Sequence, residues 1–147
     1  MSNLIVSNMT QEQKDLLLKD LCARLPYGIK GNYQNSDDKL LRSITIVYNY
    51  LKPNGMVMTG DIKPYLFPLS NMTKEQCYEF YCRFVENEID YDDFKEYYFD
   101  NGLWHKLLTS IDDCNSVVDW FNKNNIDYRG LIPMGLAIDA TNLGIYE

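Results

Sequence analysis

At 147 residues the chain has the length of one domain, enough to bury one core and too short for two independent cores to be expected. Apolar residues make up 46% and charged residues 24%, a balance that argues against intrinsic disorder, and no apolar run approaches the roughly eighteen residues of a membrane span. The formal charge of −7 argues against direct nucleic-acid binding, which needs a basic surface.

In chain order, Asn8-Met9-Thr10 followed by Gln13 predicts a capped helix start, with Thr10 and Gln13 three apart as in a capping box. The helix is expected over residues 11–25, with Leu18, Leu21, Cys22 and Leu25 on one apolar face and Leu17 on its flank. Asp15–Lys19 and Asp20–Arg24 are then i,i+4 pairs on the solvent side, and Pro26 ends the helix. Residues 29–33 read as a short strand and residues 34–38 as a polar turn. Residues 40–51 alternate, Ile44, Ile46, Tyr48 and Tyr50 against Ser43, Thr45, Val47 and Asn49, and so predict a second strand. Lys52-Pro53-Asn54-Gly55 is a turn, and residues 56–62 return as a third strand. Pro64 and Pro68 make residues 63–69 too proline-rich for a central strand, so an extended connector is expected there.

Asn71-Met72-Thr73 with Gln76 repeats the capping signature, opening a helix over 74–86 with Cys77, Phe80, Tyr81 and Phe84 on one face. Asp90 is placed to cap a helix in which Tyr91, Phe94 and Tyr98 share a stripe, with Asn101-Gly102 as its end. Leu103, Trp104, Leu107, Leu108 and Ile111 continue in helical phase, and Ser116 caps a last helix with Val117, Trp120 and Phe121 inward. Residues 128–136, apolar but broken by Gly130, Pro133 and Gly135, predict a tight buried turn rather than a regular element. The expected fold is a single α+β domain spanning 1–147, a small antiparallel sheet of about three strands packed against several helices.

The middle of the chain carries the strongest compositional signal. Ten of the twenty aromatic residues fall between Tyr78 and Trp104, and residues 84–100 hold seven acids against one base. Glu86, Glu88, Asp90, Asp92, Asp93 and Glu96, with Tyr97 beside them, are the candidate binding residues. Carboxylates with exposed tyrosines suit contact with a basic protein partner, because Tyr gives large contact area at low entropic cost.

Catalytic and metal signatures are absent from the sequence. Cys22, Cys77, Cys82 and Cys114 lie 55, 5 and 32 residues apart, so no Cys-x-x-Cys pair exists, and His105 is the sole histidine. Asp90-Tyr91-Asp92 begins like an EF-hand loop but has Phe94 and Lys95 where a ligand and a glycine belong. No nucleophile elbow or phosphate-binding glycine loop occurs. No metal, cofactor or catalytic residue is therefore expected. Residues 1–11 have no signal-peptide pattern, which makes a cytoplasmic protein with free thiols the expectation.

The words Leu25-Pro26-Tyr27-Gly28, Ile62-Lys63-Pro64-Tyr65-Leu66 running into Ser70-Asn71-Met72-Thr73, Val118-Asp119-Trp120-Phe121, Asp127-Tyr128-Arg129-Gly130-Leu131-Ile132 and Gly135-Leu136-Ala137 together resemble a family of small uncharacterised proteins of gut bacteria, their phages and mobile elements. The resemblance covers about half of the chain and implies a genomic setting without a mechanism. That family has histidines where this chain has Asn124 and Asn125. The resulting expectation is a non-catalytic accessory protein of a phage or mobile element that binds another protein through its acidic-aromatic stretch. Two alternatives stand beside it: a small hydrolase or transferase using Asp92, Asp93 or Asp127, and an acidic nucleic-acid mimic blocking a host defence protein.

Overall fold

The computed structural model describes residues 9–34, 43–85, 89–99 and 115–147. Glu86, Glu88, His105 and Cys114, the Asn101-Gly102 stop and the expected helical phase of Leu103, Trp104, Leu107, Leu108 and Ile111 lie outside the described residues. The chain divides into two compact units, one of Met1–Pro68 with Asp119–Glu147 and one of Leu69–Val118.

The fold is α+β. The first unit begins with α1, Gln11–Arg24, whose capping box forms: the Gln13 N–H donates to Thr10 Oγ1 at 3.1 Å and the Thr10 N–H to Gln13 Oε1 at 3.0 Å. Two donors that the first helical turn would leave without partners are thus satisfied. Pro26 sits in the one-turn 3-10 helix Leu25–Tyr27, and Gly28, at φ 84°, turns the chain out of it. The buried face of α1 is Leu17, Asp20, Leu21 and Arg24, not the one the apolar spacing favours. Leu21 is inward as expected, but Leu18 is 38% exposed and Cys22 faces solvent. Leu16, Leu17 and Leu18 are consecutive, so apolar residues flank the chosen face, and the packing of the rest of the unit turns Leu17 inward together with the paired charges of Asp20 and Arg24.

Among the described residues the sheet has five strands: β1 Lys30–Tyr33, β2 Ile44–Thr45, β3 Ile62–Pro68, β4 Ile126–Asp127 and β5 Ile138–Asp139. Its order is β2-β1-β3-β4, with β5 also on β3. The sheet is mixed rather than the expected antiparallel one of about three strands: β2-β1-β3 is antiparallel, with a third strand other than the one expected, and β4 and β5 join β3 in parallel.

The strand bounds differ from the sequence reading. Of the described part of 40–51, only Ile44 and Thr45 are strand; Tyr48–Leu51 is a 3-10 helix with Tyr48 63% exposed. Residues 56–60 coil through successive turns, with the Gly55 N–H on Lys52 O at 2.7 Å and the Gly60 N–H on Val57 O at 3.1 Å. Val57 and Met58 are consecutive and both buried, which an alternating strand with one dry face cannot do. The segment read as a connector is instead the central strand. Pro64 closes the β1 ladder opposite Gly31, and Pro68 ends the strand, so each proline falls where one partner strand gives way to another or to none. Gly31 permits the close pairing: a Cβ there would lie 2.8 Å from Ile62 Cγ2, 2.9 Å from Ile46 Cδ1 and 2.9 Å from the Lys63 carbonyl.

The core of this unit gathers Leu17 and Leu21 from α1, Leu51 from the 3-10 helix Tyr48–Leu51, Ile62 and Leu66 from β3, and Ile29, Ile46, Val57, Met58, Leu131, Leu136 and Ala137 from between the elements. The expected turn near the C-terminus forms, with the Gly135 N–H on Ile132 O at 3.0 Å and the Leu136 N–H on Leu131 O at 2.9 Å. The two short strands that flank it are an addition to the sequence reading.

The second unit contains α2, Lys74–Phe84, with a capping box from Thr73 and Gln76 like that of α1. It is followed by α3, Tyr91–Phe94, which continues as a π-helical stretch over Lys95–Phe99. Helix α4, Asn115–Lys123, supplies residues to both units, begins one residue before Ser116, and buries Val117, Trp120 and Phe121.

Candidate functional site

In the second unit, α3 and its extension are held by rings. Phe94 is buried, with its ring 5.2 Å from Tyr81, 5.6 Å from Tyr78 and 5.9 Å from Tyr98, while Tyr98 lies 4.9 Å from Tyr81. Tyr91 packs edge-on against Tyr78 at 5.2 Å, and the Tyr78 hydroxyl donates to the Ile89 carbonyl at 2.8 Å. Such ring pairs add to simple area burial and fix the helix on α2. Beneath them, burial pushes the Cys77 thiol up to about 12, with its Sγ 3.9 Å from the Met72 carbonyl. That thiol is a packing group, because a neutral buried thiol is a poor nucleophile.

With one side of α3 committed to rings, its carboxylates face water. Asp90 precedes the helix and is exposed, with its side chain making no cap hydrogen bond; the Phe94 N–H donates to its backbone carbonyl at 2.9 Å. Asp92, Asp93 and Glu96 are exposed, and so is Tyr97, at 58%. The first-turn acids complement the positive end of the helix. Tyr98 packs inward with the stripe of Tyr91 and Phe94, as the helical spacing predicts, while its neighbour Tyr97 points outward on the π-helical stretch.

The first unit holds an ionic cluster that the sequence reading placed at the surface. Asp20 and Arg24 are both 0% exposed, joined by Arg24 Nε to Asp20 Oδ2 at 2.8 Å and Arg24 Nη2 to Asp20 Oδ1 at 3.1 Å. Arg24 Nη2 also donates to the Ile126 carbonyl at 2.7 Å. Arg129 Nε donates to Asp20 Oδ1 at 3.1 Å, and its Nη2 to the Tyr128 hydroxyl at 3.1 Å. Both guanidiniums lie against the Tyr128 ring, at 5.3 Å for Arg24 and 4.9 Å for Arg129, and that ring stacks on Phe121 at 5.5 Å. Both Asp20 oxygens are occupied by guanidinium donors, so this carboxylate ties α1 to the C-terminal segment and has no free oxygen for a substrate.

Asp127 is committed in the same way. Its Oδ1 accepts from the Leu131 N–H and its Oδ2 from the Ile132 N–H, each at 2.9 Å. The structure therefore brings Asp92, Asp93, Glu96 and Tyr97 together on one short helical segment and keeps Asp127 for a turn. The sequence reading missed the Asp20–Arg24–Arg129 cluster. One signal was present: Leu17, Asp20, Leu21 and Arg24 stand at i, i+3, i+4 and i+7, so the Asp20–Arg24 pair shares a helical face with two leucines.

The first unit also contains a cleft of about 370 Å³, walled by Leu17, Val57, Ile62 and Leu136, with Gln13 and Lys63 as its polar lining. Among the described residues, no group of three or more His, Cys, Asp and Glu side chains could hold a metal ion, and no helix is long and apolar enough to cross a membrane.

No protein-family model, curated protein or solved structure matches the chain.

Proposed function

We propose that this chain is a non-catalytic accessory protein of a phage or mobile element that binds a basic protein partner through α3 and its π-helical extension. One observation carries this reading. Asp92, Asp93, Glu96 and Tyr97 are all exposed on a short segment that is packed through the Phe94, Tyr81 and Tyr98 rings. A pre-ordered surface loses little conformational entropy on association, and clustered acids steer and select a basic partner. The genomic setting rests on the sequence resemblance. The test is capture from host lysate, with and without phage infection, using wild type and an Asp92→Lys/Asp93→Lys/Glu96→Lys variant. The reading requires salt-sensitive capture of a basic protein that the reversed variant loses while melting normally. Retrieval of the same partners by both proteins at the same salt would leave these acids as a solvated face.

A further inference from the structure

The cleft of the first unit has the chemistry of a small-ligand site. It lies among the start of α1, the turn before β3, the first residues of β3 and the C-terminal turn. Its volume of about 370 Å³ is at the small end of the roughly 300–1,000 Å³ typical of ligand pockets. Leu17, Val57, Ile62 and Leu136 give it an apolar wall, and the unbranched side chains of Met9 and Met134 can adjust to a flexible chain.

The polar lining is one-sided. Gln13 spends its carbonyl oxygen on the Thr10 N–H, which leaves its amide N–H groups as donors. Lys63 has no ion pair or hydrogen bond from its ammonium group among the described residues, although the whole chain carries 21 acids against 14 bases. No carboxylate is among the described lining residues. Two donor groups and an apolar wall complement a ligand with an anionic head and a hydrocarbon tail. We infer that the cleft binds a medium-chain carboxylate, its tail along Leu17, Ile62 and Leu136 and its head towards Lys63 and Gln13.

Octanoate is the probe, titrated into protein labelled at the methionine methyls, with butyrate, octylamine and octan-1-ol as comparisons. Saturable shifts of the Met9 and Met134 methyls are expected with octanoate below its micelle concentration. Octanoate should bind at least about tenfold more tightly than butyrate or octylamine, the change expected from one charge-assisted contact or a few methylenes. Lys63→Met should weaken octanoate by about tenfold and leave octan-1-ol binding unchanged. Lys63 is only half-buried, and the wild-type titration decides the matter should that variant fail to fold. Absence of saturation, equal binding of octylamine, or an unaltered octanoate affinity in folded Lys63→Met would each overturn the inference.

Discussion

Asp20 and Arg24 stand one helical turn apart on α1 and form an ion pair from which solvent is entirely excluded. Such i,i+4 pairs are usually surface features of a few tenths of a kcal/mol. Here the pair is a fastening, because Arg24 also holds the Ile126 carbonyl and Asp20 also holds Arg129, contacts 102 and 109 residues apart in the chain. Burial makes the consequence of removing one member large and the consequence of removing both small.

Asp20→Asn should therefore destabilise the protein by about 3–5 kcal/mol, since the fully buried Arg24 guanidinium, and with it the partly exposed Arg129, loses its carboxylate partner among the described residues. The double variant Asp20→Leu/Arg24→Met should lose less than Asp20→Asn alone. Urea denaturation of wild type and both variants checks this, and a double variant at least as unstable as Asp20→Asn would show that the pair is not coupled.

The face that α1 turns inward can be read by one contrast. Leu21 is fully buried and Leu18 is not. Leu21→Asp should unfold the protein or reduce stability by several kcal/mol, because an unpaired charge would enter the core. Leu18→Asp should change stability by about 1 kcal/mol or less. Melting temperatures of the two variants decide it, and similar values would mean the helix is rotated from the position described.

Gly31→Ala tests the β1–β3 pairing. The added methyl would meet Ile62, Ile46 and the Lys63 carbonyl at 2.8–2.9 Å, and relief of that overlap should lower stability by about 1–3 kcal/mol. Denaturant midpoints measure the loss. A neutral substitution would mean that the two strands pair less closely.

Stability should fall at alkaline pH. Burial raises the Tyr146 phenol from 10.0 to about 12, and the Cys77 thiol from 9.0 to about 12. In both groups the folded state favours the neutral form. Their contribution is thus fully present below pH 9 and is lost as pH rises through about 12. Tyr146 accepts from the Lys30 N–H at 3.0 Å and donates to the Tyr65 carbonyl at 2.7 Å. Tyr146→Phe should accordingly be less stable by about 1–3 kcal/mol near neutrality, and the gap to wild type should narrow above pH 10. Denaturation curves at neutral and alkaline pH test both parts, and a constant gap would exclude Tyr146 from the alkaline loss.

The candidate binding segment was legible in part. Its composition marked Asp92, Asp93, Glu96 and Tyr97, and the stripe of Tyr91, Phe94 and Tyr98 follows from helical spacing. That spacing already put Tyr98 with the inward rings and left Tyr97 outside, as found; the π-helical stretch over Lys95–Phe99 was not legible, because nothing in the spacing marks it.

What the sequence determined by itself is local. Thr10 with Gln13 and Thr73 with Gln76 begin helices because each cap is completed within three residues. Val117, Trp120 and Phe121 turn inward on α4 for a similarly local reason, the helical period. Tertiary structure decided the rest. Ile62–Pro68 is a central strand because β4 and β5, contributed from the far end of the chain, pair with it where β1 stops. Asp20 and Arg24 are buried because Arg129 and the Ile126 carbonyl meet them there. A side chain's own spacing cannot reveal such partners, because a charge is stable in the core only when groups distant in sequence arrive to satisfy it.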